Sequence, residues 1–151
     1  MAIRKILTTP DPALSAKCRE VTEFNTRLHQ LLDDMAQTMK KADGVGLAAN
    51  QVGVLRRICI VDIEDESGLT ELINPEIIAT HGTQQAQEGC LSFPGEFGVT
   101  NRPMIVEVKF LDRFGAPHSL KADDLKARAI CHEIDHLNGI TFKTHVINGA
   151  D

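Results

Sequence analysis

No two of the four cysteines stand in a C-x-x-C pair: Cys18, Cys59, Cys90 and Cys131 are scattered along the chain, which excludes a thioredoxin-type redox motif and a zinc ribbon. No run of about eighteen apolar residues occurs, so no helix is predicted to span a membrane. Met1 to Leu7 is too short and too charged, through Arg4 and Lys5, for a secretory signal. Basic excess is missing as well: 16 Lys and Arg stand against 21 Asp and Glu, a net charge of −5, which argues against nucleic acid or an anionic membrane as the main partner. Gly44 to Gln51 has two close glycines but no Gly-Lys-Ser/Thr ending, and it neither follows a strand nor opens a helix as a dinucleotide fingerprint must. Internal repeats, low-complexity tracts and linkers are absent too. A reducing cytoplasm is therefore the expected location, with thiols free to bind metal rather than paired as two disulfides.

What remains is an ordinary globular composition, 42% hydrophobic and 25% charged over 151 residues. That length fits a single catalytic domain, 1–151, with a core large enough to need no staples. Phe24, Leu28, Leu31, Leu32, Met35 and Met39 recur at helical spacing. The spacing predicts a helix from about Asn25 to Lys41, stopped at Asp43-Gly44, with both methionines as core fillers. Arg57 to Ile63 reads as a short buried strand, Leu69 to Ile73 as a second closed by Asn74-Pro75, and Ile77 to Ala79 as a third. Ile105 to Leu111 alternates in the half-buried antiparallel manner. A turn at Asp112 to Gly115 returns the chain through Pro117 to Leu120. Asp123 or Asp124 caps a last helix bearing Leu125, Ala129, Ile130, Ile134 and Leu137, and Gly139 ends it. Helix, antiparallel strands, helix: the order is that of an α+β fold, with antiparallel sheets packed around the C-terminal helix.

That helix carries Cys131-His132-Glu133-Ile134-Asp135-His136. Positions i and i+4 lie one above the other on a helix, so His132 and His136 can hold one divalent cation while Glu133 reaches a water activated there. The plainer alternative is a solvated helix face. A catalytic site needs a third protein ligand and an open corner. Two common completions fail: Phe142 stands where a metzincin has its third His, His145 comes three residues late, and no Glu follows His136. The ligand must come from upstream, where Glu88-Gly89-Cys90-Leu91-Ser92 is the outstanding stretch. A buried core thiol is the competing reading of Cys90. Cys131 offers the same ligand chemistry but leaves the helix about 100° from His132. Gly44 to Gln51 reads either as a connector after the first helix or as a peptide-lining strand with Gln51 as a polarising donor.

Three stretches together resemble the peptide deformylases: Gly44 to Gln51 for GxGLAAxQ, Glu88 to Ser92 for EGCLS, and His132 to Gly139 for HExDHLxG. The resemblance implies removal of the N-formyl group from the initiator methionine of nascent chains, with release of formate. It implies one divalent metal held by Cys90, His132 and His136, iron(II) in the cell, with zinc, nickel or cobalt also suited to the ligands. Glu133 would move the proton, and Gln51 with the Leu91 N–H would stabilise the oxyanion. Val45, Gly46 and Gly89 would offer main-chain partners to an extended substrate. The implied partners are N-formylmethionyl nascent peptides and with them the ribosome, without direct nucleic-acid contact or membrane, for a monomeric enzyme. Glu88 and Arg102 resemble a pair that steadies the cysteine loop, an exposed ion pair being the alternative.

The chain departs from the family at two places in the last helix. Cys131 replaces a usual Gln. Arg128, one turn before His132, replaces an apolar residue near the methionine pocket, where it would narrow or polarise that pocket as a substrate-binding residue. Twelve residues follow Gly139, too few for a further docked helix, although Phe142 and Val146 can pack as a closing strand. The alternatives to an active deformylase are a metallohydrolase of the same fold with altered first-residue or amide specificity, and a non-catalytic peptide-binding relative.

Overall fold

The computed structural model describes residues 2–147. Helix α1 spans Thr26–Lys41. Asn25 caps it by accepting from the Leu28 N–H at 3.1 Å, which satisfies one of the donors left free in a first turn. Its apolar stripe buries Leu28, Leu31, Leu32, Met35 and Met39, and fully buried Leu32 and Met35 contribute about 1.5–3 kcal/mol each. Asp43 then turns the chain in the left-handed region, with φ of 57°.

Strands β1 (Gly46–Ala48), β2 (Ile58–Val61), β3 (Thr70–His81), β6 (Ile105–Leu111) and β7 (Pro117–Asp123) form one antiparallel sheet in the order β1-β2-β3-β6-β7. Strands β4 (Gln84–Cys90) and β5 (Phe93–Arg102) form a separate two-stranded sheet. Helix α2, Asp124–Leu137, follows β7 directly.

Side chains alternate across a strand, and β2 shows why it read as an unbroken apolar run. Ile58 and Ile60 pack with α1, whereas Cys59 and Val61 pack with Ile130, Ile134 and Leu137 of α2. The five-stranded sheet is thus covered by α1 on one face and α2 on the other. The far side of α2 is enclosed by the β4–β5 hairpin, so nine of its residues are buried, both histidines and Glu133 among them.

Three expectations need correction. Leu69–Ile73 and Ile77–Ala79 are parts of one strand, β3, because the break at Asn74-Pro75 is a bulge: register shifts fall at Ile73/Glu76 and Ile77/Ala79. Asn74, at φ 51°, clips the bulge to the N-terminal segment, accepting from Val21 N at 2.8 Å and donating to Val21 O at 3.0 Å. Asp123 occupies the N-cap of α2, but its side chain makes no capping bond. After Gly139 the chain forms a single turn of 3-10 helix at Phe142–His145, and Val146 makes only one bridge, to Thr100, instead of a closing strand.

Candidate metal centre and substrate cleft

The end of α2 that carries His136 is tied down by its carbonyls. Asn50 donates to His136 O at 2.7 Å, and the Cys18 N–H and Arg57 Nη1 donate to Leu137 O at 2.8 and 3.2 Å. These bonds fix groups that a helix C-terminus leaves without intrahelical partners. Gly139, at φ 75°, then lets the chain pass close to the carbonyl of Ser15, 2.6 Å from where a Cβ would lie.

One turn apart, the two imidazoles meet with Nε2 atoms 3.2 Å from each other. Cys90, at the end of β4, brings its Sγ to 3.3 Å from His136 Nε2. The three donor atoms lie within 4.8 Å of one another. Cys131 stays in the core under the sheet, where burial pushes its thiol up to about 11. Phe142 packs its ring against His132 with centroids 6.1 Å apart.

The residues present suit a cation. Two imidazole nitrogens and a sulfur at this distance would set lone pair against lone pair unless protons or a cation lie among them. Burial alone would lower His132, yet Glu133, Cys90 and Glu88 together hold its ring protonated, up to about 10. Burial drives His136 down to about 3, with the positive ring of His132 acting the same way. A divalent ion takes the place of such a proton, and Cys with two His is a donor set for borderline cations. His132 also donates from Nδ1 to Glu88 at 2.6 Å, the outer bond that leaves Nε2 free to ligate.

Glu88 is no surface residue. It is buried, and it accepts from Thr100 Oγ1 at 2.7 Å and from Arg102 Nη2 at 2.7 Å. Burial would raise its carboxyl, but the bonds from His132 and Arg102 outweigh this and hold it at about 2. Of the two readings of the Glu88–Arg102 pair, the structure selects the buried brace.

Glu133 is buried beside His132, with Oε1 lacking any hydrogen-bond partner. Burial pushes its carboxyl up to about 7. Opposite it lies Gly46 of β1, where a Cβ would stand 2.9 Å from Glu133 Cδ and collide with the carboxylate. Gly46→Ala is therefore expected to displace the carboxylate and lower kcat about 100-fold with the fold intact. Steady-state kinetics beside a thermal melt would check this, and a near-wild-type kcat would contradict the contact.

Gln51 sits on the turn of 3-10 helix after β1, Ala49–Val52. Its Oε1 accepts from the Ala48 N–H at 2.9 Å, which orients Nε2 toward Ser92 Oγ at 3.0 Å and Cys90 Sγ at 3.6 Å. The stretch Gly44 to Gln51 is thus both connector and strand. Val45, Gly46, Gln51, Gly89, Cys90, Leu91, Arg128, His132 and Glu133 all line one cavity of about 430 Å³, and His136 lies buried behind it. β1 is an edge of the large sheet and β4 belongs to the hairpin, so the cleft has a strand edge on either side.

Sequence reasoning missed Ser92, Asn50, Thr100, Asp135 and Gln84 as supports of this site. Ser92 and Asn50 fall inside stretches already singled out. Nothing local marks Thr100 or Gln84, which matter only through residues brought near by the hairpin.

A family model described as polypeptide deformylase matches residues 3–150. A peptide deformylase of Caldanaerobacter subterraneus subsp. tengcongensis is 52% identical over 151 residues, 100% of this chain and 94% of that protein. Peptide deformylase 1 of Bacillus subtilis is 44% identical over 146 residues, 97% and 91% of the two chains. Among solved structures, a peptide deformylase from Legionella pneumophila superposes with a TM-score of 0.93 at 42% identity, covering 98% of this chain and 88% of that one. The Synechococcus elongatus peptide deformylase in complex with actinonin gives 0.92 at 43% identity, with 96% and 79% covered.

Proposed function

The chain belongs to the polypeptide deformylase family and is a hydrolase that removes the N-formyl group from nascent peptides; from that premise we propose how its residues divide the work. Cys90, His132 and His136 hold one divalent cation, iron(II) in the cell, with zinc, nickel or cobalt as competent substitutes. The observation that carries this is the meeting of the three donor atoms within 4.8 Å, with Glu133 beside them. Bound there, the cation would supply Lewis acidity to the formyl oxygen and make water acidic near neutrality.

Glu133 takes the proton of the attacking water and passes it to the leaving amine nitrogen. The Gln51 amide and the Leu91 N–H donate to the formyl oxygen as negative charge develops on it. Val45, Gly46 and Gly89 bind the peptide main chain as an added strand between β1 and β4. Arg128 lines the part of the cleft that receives the first side chain. A narrow corner at Cys90, Gln51 and Glu133 admits a formyl group more readily than a larger acyl group.

We place the enzyme in the cytoplasm, as a single catalytic domain and a monomer, meeting its substrates as they leave the ribosome. No helix among the described residues is long and apolar enough to cross a membrane.

Protein purified without oxygen is expected to carry one iron per chain and to release formate from formyl-Met-Ala-Ser. A strong chelator should abolish that release, and added iron(II), nickel or cobalt should restore it. Metal analysis and a formate assay check both points, and undiminished activity after complete metal removal would overturn the assignment.

A further inference from the structure

On the reading that this cleft holds a formylated peptide, we propose that Arg128 sets first-residue specificity, as a fixed guanidinium that favours a first side chain ending in a hydrogen-bond acceptor. Methionine sulfoxide is the form of the natural first residue with that chemistry.

Helix α2 turns Leu125, Arg128, Ala129, His132 and Glu133 toward the cavity, positions i, i+3, i+4, i+7 and i+8 of one face. Arg128 precedes His132 by four residues, a rise of about 6 Å. A methionine side chain, four heavy atoms beyond Cα, covers about the same distance. With the formyl carbonyl beside His132, a first side chain laid along α2 toward its N-terminus ends at Arg128. Val45, Leu91, Phe97 and Leu125 make the surrounding walls apolar. Away from the Cys90–His132–Glu133 corner and its Glu88, Arg128 and Asp43 are the cavity's charged residues.

The guanidinium is held in place, and its charge is left open. Arg128 Nη1 donates to Gln84 Oε1 at 2.9 Å. Gln84 cannot reverse its amide, because Nε2 already donates to Pro103 O at 3.0 Å and to Asp124 O at 2.8 Å. Turning it would set oxygen against two carbonyls. Among the described residues Arg128 has no carboxylate within ion-pair distance, Asp43 included. One of its five donors is used by Gln84, and the others are available to a ligand. A thioether is a weak acceptor, whereas the sulfoxide oxygen is a strong one on a side chain of the same length. The bond made is charge-assisted.

The test compares formyl-Met-Ala-Ser with formyl-Met(sulfoxide)-Ala-Ser on wild type, Arg128→Leu, Arg128→Lys and Gln84→Leu, each checked for metal content and melting temperature. The quantity read is the ratio of kcat/KM for sulfoxide over thioether within each protein. In Arg128→Leu the ratio is expected to fall about tenfold, the factor of one charge-assisted hydrogen bond, with the change in KM rather than kcat. Arg128→Lys should recover part of the loss, and Gln84→Leu, which frees the guanidinium, should lie between wild type and Arg128→Leu. An equal ratio in wild type and Arg128→Leu, with formyl-Met-Ala-Ser turned over by both, would overturn the role of Arg128 alone. Failure of wild type to release formate from formyl-Met-Ala-Ser would instead overturn the reading of the cleft on which it rests.

Discussion

Glu133→Gln is expected to lower kcat for formyl-Met-Ala-Ser about 1,000-fold while leaving metal content unchanged and the melting temperature equal or higher. The loss follows from chemistry: Gln has the shape of Glu but cannot accept a proton, and a positioned general base contributes on the order of 100- to 10,000-fold. The preserved stability follows from burial. Glu133 is 4% exposed, with Oε1 lacking a partner, so its ionised form is costly to the fold and a neutral amide relieves that cost. The pH dependence has a definite sign as well. A base must be ionised to act, so wild-type kcat falls as pH drops through the pKa of this carboxyl. Burial raises that carboxyl to about 7 in the protein alone, and a cation at the neighbouring histidines draws it down. The Gln variant should lack this acidic limb. Residual activity within tenfold of wild type, or an unchanged acidic limb, would remove Glu133 from the proton transfer.

The parts of this site that could be read from the sequence are those whose geometry is local. His132 and His136 share a helix, and a spacing of four residues is enough to place both rings on one face. Cys90 is another matter. Its position depends on the β4–β5 hairpin, whose residues give little strand signal: Gln84-Gln85-Ala86-Gln87-Glu88 is polar, and Gly89, Gly95 and Gly98 interrupt the rest. The hairpin is polar because its inner face meets the charged side of α2 rather than an apolar core, Glu88 and Arg102 being its buried contacts there, with His132 and Asp135. Elimination of downstream ligands and resemblance to known motifs supplied what periodicity withheld. Pro75 misled for a related reason. A proline normally ends a strand, but in β3 it falls in a bulge that Asn74 stabilises from the side.

Removing Arg102 should do far more damage to the fold than removing an exposed charge, because of where its partners lie. Arg102 is 3% exposed, and it donates to Glu88 Oε1 at 2.7 Å and to Asp135 Oδ2 at 2.6 Å. Asp135 keeps a second partner in His145 at 2.9 Å and is partly hydrated, so it tolerates the loss. Glu88 does not: it is left buried with Thr100 and His132, and breaking a buried pair from one side costs about 3–5 kcal/mol. An exposed pair such as Lys109–Glu76, at 3.4 Å, supplies the contrast, being worth at most about 1 kcal/mol. The damage should reach the metal, because Glu88 holds the Nδ1–H of His132, and loss of such outer support lowers metal affinity about 10- to 100-fold. For Arg102→Met, denaturant unfolding at pH 7 should show the full destabilisation. The pH dependence fixes the mechanism. In wild type the Glu88 carboxyl is depressed to about 2, so its contribution is present above the unfolded value near 4.5 and is lost as pH falls toward 2. In the variant one of the two depressing partners is gone while His132 remains, so the carboxyl takes up its proton at a higher pH than in wild type and the stability gap between the two proteins should narrow on acidification. A gap below about 1 kcal/mol at pH 7, or one that widens on acidification, would show that Arg102 braces the centre through packing rather than through charge.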